Sequence, residues 1–127
     1  MTLIRFSAHR LFDGLTVIGF AVAPVLVPLS GAAARLAWAL AAVHCLMTLA
    51  TSFPDGPRGI VPLRWHGGAE LLVGIMLPAA PFLAGWVGPA RWFYLVAGGV
   101  ILLIRVMSPF TPRDESSTTV PRAPRRG

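Results

Sequence analysis

His9 and Asp13 lie four residues apart, and so do His66 and Glu70. On a helix that spacing brings both side chains of a pair to one face. An imidazole beside a carboxylate can hold a proton, pass it on, or join a metal's ligand set. If the two faces turn towards each other, two imidazoles and two carboxylates converge, and both divalent-metal binding and proton relay are open to them. The blander reading is that each acid sits in the first turns of a helix, where the macrodipole favours negative charge, while each histidine bonds locally near the headgroups. No metal-site spacing such as HExxH occurs. The expectation is therefore a structural role, with no metal and no cofactor.

The elements that must position these residues follow from composition. Of 127 residues, 55% are apolar and only 13% are charged, and the mean hydropathy is +0.70. A soluble domain carries about 25% charged residues, so this chain could not cover a watery surface. All eleven cationic residues are arginines, giving a net charge of +6. They flank apolar segments, as membrane-orienting charges do, and nucleic-acid binding is not expected. The single cysteine, Cys45, lies in an apolar run and reads as a small buried hydrophobe.

Charges cut the chain into windows. None occurs between Asp13 and Arg35 (21 residues), between Arg35 and Asp55 (19) or between Glu70 and Arg91 (20). A bilayer core needs about 20 helical residues, so three windows fit a span. The fourth, between Arg91 and Arg105, has 13 residues. It reaches span length if the helix runs on through Met107 with Arg105 snorkelling or facing protein. Four transmembrane helices are predicted near 11–29, 35–53, 68–86 and 90–108. The N-terminus, middle loop and C-terminal tail together hold nine of the eleven arginines, which predicts that both termini are cytoplasmic. The tail from Thr111, polar and rich in proline, is expected to be disordered.

A shift of 57 residues superposes the chain on itself without a gap. His9 meets His66, Asp13 meets Glu70, Ala23-Pro24 meets Ala80-Pro81, Gly31 meets Gly88 and Phe53 meets Phe110. A histidine, an acid and a proline sharing one frame make chance a poor explanation. The same match argues that the first span is no cleaved signal peptide, despite Arg5, Arg10 and the small residues 31–34. The expected organisation is a cytoplasmic N-tail 1–8, repeat 1 over 9–53, a cytoplasmic loop 54–65, repeat 2 over 66–110 and a tail 111–127. Each repeat holds two spans, so both insert the same way up. The fold class is all-α integral membrane, a four-helix bundle of two parallel two-helix repeats. Ala33, Ala37, Ala41, Gly98 and Gly99 would let helices approach closely.

A His-x-x-x-acid at the start of a span, followed by a proline turn near its far end, resembles the SPW-repeat family of small bacterial membrane proteins. The matching residues are His9, Asp13, Pro24, Gly31 and Phe53, then His66, Glu70, Pro81, Phe82, Leu83 and Phe110. The likeness covers roughly 4–110. The tripeptide that names the family reads Ala23-Pro24-Val25 and Ala80-Pro81-Phe82 here, and Ser108-Pro109-Phe110 imitates it at the wrong end of the last span. The resemblance implies a bacterial inner membrane and lends no reaction.

Arg105 lies at about the depth of Asp13 and Glu70, and an ion pair with either is expected. His44, whose repeat equivalent is Ile101, reads as a neutral core histidine unless another subunit contributes to a site. Pro24 and Pro81 are the expected helix-bending or helix-ending positions. The chain shows no nucleophile–base set, redox cysteine pair or phosphate loop, and no enzyme is expected. The function expected is a structural or accessory membrane subunit, embedded in lipid, with a homo-oligomer or a larger membrane complex as the assembly open to it. The alternative is a minimal oligomeric transporter or channel for a proton, ion or small solute, using the two His/acid pairs.

Overall fold

The computed structural model describes residues 5–54, 56 and 58–108. Residues 1–4 of the expected N-tail 1–8 and the tail 111–127 lie outside the described residues, and residues 6–8 of that N-tail are helical. Four helices make up nearly all of it: α1 Phe6–Leu26, α2 Gly31–Ala50, α3 Leu63–Leu83 and α4 Gly88–Met107. A two-residue parallel bridge, β1 Thr51–Ser52 with β2 Val61–Pro62, joins the end of α2 to the start of α3. α3 begins and ends 57 residues after α1, and α4 begins and ends 57 residues after α2.

All four helices are long and apolar enough to cross a membrane, with 20 or 21 residues and mean hydropathy of 1.3 to 1.6. At 1.5 Å per residue each is about 30 Å long. Large apolar side chains such as Leu11, Ile18, Leu72 and Ile75 point outward. Water would penalise that surface; hydrocarbon would not.

The helices start two to five residues earlier than the charge gaps predicted. Charges limit where a helix is comfortable in lipid, not where its hydrogen bonds form, and Arg10, Asp13, Arg64 and Glu70 all lie within helical turns. The ends are set by backbone chemistry instead. Gly31 and Gly88 open α2 and α4 at φ 54° and 59°, a left-handed conformation that other residues seldom adopt. At the end of α3, Gly85 has φ 68° and the Trp86 N–H reaches back to the Pro81 carbonyl at 2.7 Å, a Schellman closure. Pro24 and Pro81 fall in the last turn of α1 and α3, so at most one turn lies beyond them.

The close helix pairs are α1 with α2 and α3 with α4, so the molecule consists of two hairpins. Ala33, Ala37 and Ala41 are buried on α2. Gly98 of α4 packs so tightly on Pro78 of α3 that no Cβ would fit, whereas Gly99 faces open space. Between the hairpins Tyr94 is fully buried; its hydroxyl donates to the Ala33 carbonyl at 2.6 Å. Phe20 meets Phe93 edge-on at 5.7 Å. A second point of junction lies at the end of the bundle that carries the start of α1 and the end of α4.

Candidate functional site

His9 and Asp13 occupy the first turns of α1, and His66 and Glu70 the matching turns of α3. The i, i+4 spacing puts each pair on one face, and the hairpins turn those faces towards each other. All four side chains are buried, at 1%, 2%, 0% and 6% exposure respectively. The two pairs form one cluster, the convergent arrangement of the two that the spacing left open.

His9 Nε2 lies 3.5 Å from Asp13 Oδ1 and 3.5 Å from Glu70 Oε1. His66 Nε2 lies 3.5 Å from Asp13 Oδ2 and 3.5 Å from Glu70 Oε1. One ligand atom from each residue can be chosen so that all lie within 4.8 Å of one another. His66 Nε2, Asp13 Oδ2 and Glu70 Oε2 are buried with no hydrogen-bond partner. Each distance exceeds the 2.7–3.2 Å or so of an N–H···O bond.

The outward-facing nitrogens are fixed by hydroxyls. Thr51 Oγ1 donates to the Met47 carbonyl at 2.7 Å and stands 2.9 Å from His66 Nδ1. Ser108 Oγ donates to the Ile104 carbonyl at 2.7 Å and stands 2.9 Å from His9 Nδ1. A hydroxyl has one proton, and in both cases a backbone carbonyl takes it. Each hydroxyl therefore accepts from an Nδ1–H, and a neutral imidazole then carries its lone pair on Nε2. Phe53, itself buried, stacks near both rings, with centroids 6.3 Å from His9 and 5.7 Å from His66.

His44, Thr51 and Ser108 were not singled out for the cluster from sequence. His44 Nε2 reaches to 3.6 Å from Asp13 Oδ1, within the same chain, so no second subunit is needed to give it a partner. Ser108 opens the Ser108-Pro109-Phe110 tripeptide at the end of the last span. The 57-residue offset pairs Ser108 with Thr51, and that was the available signal. Arg105 donates from Nε to the Gly67 carbonyl at 2.8 Å, placing it beside α3 one turn before Glu70. A narrow crevice between α2 and α3, about 40 Å³ in volume, reaches His44, His66 and Glu70 past Val43, Met47 and Val73. It has room for a few water molecules.

Chemically, the arrangement is two carboxylates and two Nε2 lone pairs gathered in a buried interior, with a third imidazole alongside. Two anions so placed need compensating positive charge. Protons can supply it, and so can a metal ion. Comparison with protein-family models, with curated proteins and with solved structures finds no match to this chain.

Proposed function

We propose that this chain is a multi-pass protein of a bacterial inner membrane that binds a small cation at the His9–Asp13–His66–Glu70 centre. The observation that carries the reading is convergence. Four ionisable side chains from two hairpins meet at one buried point, where each charged group costs several kcal/mol to desolvate. A bundle that served only as an apolar spacer would have no use for them. Cation handling of the kind a minimal transporter or channel performs is thereby favoured over a purely structural role. In this reading the chain is not an enzyme.

The wider placement belongs to the same proposal. The shared helix boundaries at a 57-residue offset support a tandem duplication with its axis along the membrane normal. The arginine distribution supports cytoplasmic termini. The likeness to SPW-repeat proteins rests on the residues already given.

One observation favours an accessory role as a second reading. An apolar groove of about 320 Å³ runs between α1 and α4, lined by Phe12, Leu15, Gly19, Phe20, Phe93 and Ala97. Its dimensions and chemistry suit a membrane helix of a partner or of a second copy.

Thermal unfolding of the full chain in detergent, over a series of pH values and added divalent cations, separates the two. Cation binding predicts a melting temperature that responds to protons or metal, and loses the response in the Asp13→Asn, Glu70→Gln double variant. An insensitive wild type that co-purifies with a stoichiometric membrane partner would overturn cation binding in favour of the accessory role.

A further inference from the structure

We infer that the cation is a divalent first-row transition-metal ion, of the zinc, iron(II) or manganese(II) class, held by the Nε2 atoms of His9 and His66 and the carboxylates of Asp13 and Glu70. The inference deepens the cation-binding reading and rests on it.

Distance separates a metal from a proton. A charged N–H···O⁻ bond closes to about 2.7–2.9 Å, whereas all four histidine–carboxylate separations are 3.5 Å. Donor atoms bound to one ion at about 2.0–2.2 Å stand roughly 3–4 Å apart, and one donor atom from each of the four residues can be chosen with all of them within 4.8 Å of one another. The gap that is too wide for a shared proton has the span of a coordination sphere.

The tautomers agree with this. Thr51 and Ser108 each commit their proton to a backbone carbonyl, which leaves their lone pairs for the Nδ1–H groups of His66 and His9. Metal-bound histidines characteristically donate their other ring N–H to such an acceptor, fixing the ring and its tautomer. Charge balances as well: two carboxylates, two neutral imidazoles and one dication sum to zero, the state a low-dielectric interior favours.

The donor set narrows the class. Two imidazoles argue against magnesium and calcium, which prefer oxygen throughout, and the lack of thiolate argues against copper(I). His44 makes the centre unequal on its two sides, because its repeat equivalent is the apolar Ile101. With His44 Nε2 3.6 Å from Asp13 Oδ1 and the crevice beside it, the α2 side offers a fifth ligand and room for a water. Because α1 and α3 supply the ligands, the ion ties one hairpin to the other.

The test uses the full chain, purified through an affinity tag without histidines, stripped with chelator and titrated with Zn²⁺, Mn²⁺, Co²⁺ and, anaerobically, Fe²⁺. Bound metal is counted by mass spectrometry. The expected result is one ion per chain, with Co²⁺ giving the visible absorption of nitrogen and oxygen ligation. His66→Ala and Asp13→Asn should each weaken binding by more than about 100-fold, a larger loss than removing an outer partner of a ligand causes. Glu70→Gln, which keeps the shape of the side chain, gives the same reading should His66→Ala fail to fold. Equal metal binding by wild type and all three variants would overturn the inference by placing the site elsewhere. A wild type that binds no metal but whose melting temperature follows pH through Asp13 and Glu70 would overturn the metal and leave the cation-binding reading standing. Insensitivity to both would overturn both.

Discussion

Thr51 and Ser108 stand 57 positions apart, and each serves the histidine of the opposite hairpin: Thr51 Oγ1 lies 2.9 Å from His66 Nδ1, and Ser108 Oγ lies 2.9 Å from His9 Nδ1. Both hydroxyls also donate to the carbonyl four residues behind them. Residues at the ends of α2 and α4 thereby orient side chains at the starts of α3 and α1. The exchange makes the two hairpins interdependent exactly where the polar groups meet.

Thr51→Val keeps the shape of the side chain and removes the acceptor. The buried His66 Nδ1–H is then left unsatisfied, at a cost of about 1–3 kcal/mol. Thermal unfolding in detergent should show the loss, and metal affinity should fall about 10- to 100-fold. Thr51→Ser, which places at this position the residue found at its repeat equivalent, should restore both. Failure of serine to rescue would show that the methyl group, not the hydroxyl, matters.

Asp13 and Glu70 share neighbours, so their effects should not add. The coupling between Asp13→Asn and Glu70→Gln, from a double-mutant cycle on unfolding free energy, is expected at about 0.5–3 kcal/mol. Additive effects would mean that the two acids act separately.

Gly98 and Gly99 provide a matched pair within α4. A Cβ at Gly98 would run into the Pro78 ring, whereas one at Gly99 meets nothing. Gly98→Ala should destabilise the α3–α4 hairpin by about 1–3 kcal/mol through overpacking. Gly99→Ala should be neutral or slightly stabilising, because alanine is the better helix former. Equal melting temperatures for the two variants would contradict the packing described.

Arg105→Leu removes the donor that holds the Gly67 carbonyl at 2.8 Å. The expected loss is about 1–2 kcal/mol, read as a lower melting temperature and a lower yield from membranes. An unchanged value would mean that this contact contributes nothing to joining α4 and α3.

Orientation is open to a direct check. Fluorescent reporters that fold only in the cytoplasm should light up when fused to either terminus. A phosphatase active only outside it should work when inserted in the turns 27–30 or 84–87. The reverse pattern would contradict the orientation drawn from the arginines.

The helices were legible from charge spacing alone, because lipid tolerates so few charges that each one punctuates the sequence. Their ends were not. Helices extend past charged residues such as Arg10 and Arg64, and glycines 31, 85 and 88 and the surrounding prolines decide where they stop. Of the polar centre, His9, Asp13, His66 and Glu70 were legible as two matched pairs, since a repeat makes equivalent residues visible. Their meeting depended on how the hairpins face each other, which periodicity does not encode. Thr51 and Ser108 look like ordinary helix-end hydroxyls until the offset is applied to them too. His44 lacked even that signal. Its repeat equivalent is Ile101, and only the rotation of α2 against α1 brings it to Asp13.

The claim that these side chains form one metal-binding centre is tested most directly by X-ray absorption on the zinc-loaded full chain. The account predicts a shell of nitrogen and oxygen at about 2.0–2.2 Å, with outer scattering from at least two imidazoles and loss of one imidazole contribution in His66→Ala. A sulfur shell at about 2.3 Å, which would place the ion on Cys45, or a spectrum unchanged by His66→Ala, would contradict it.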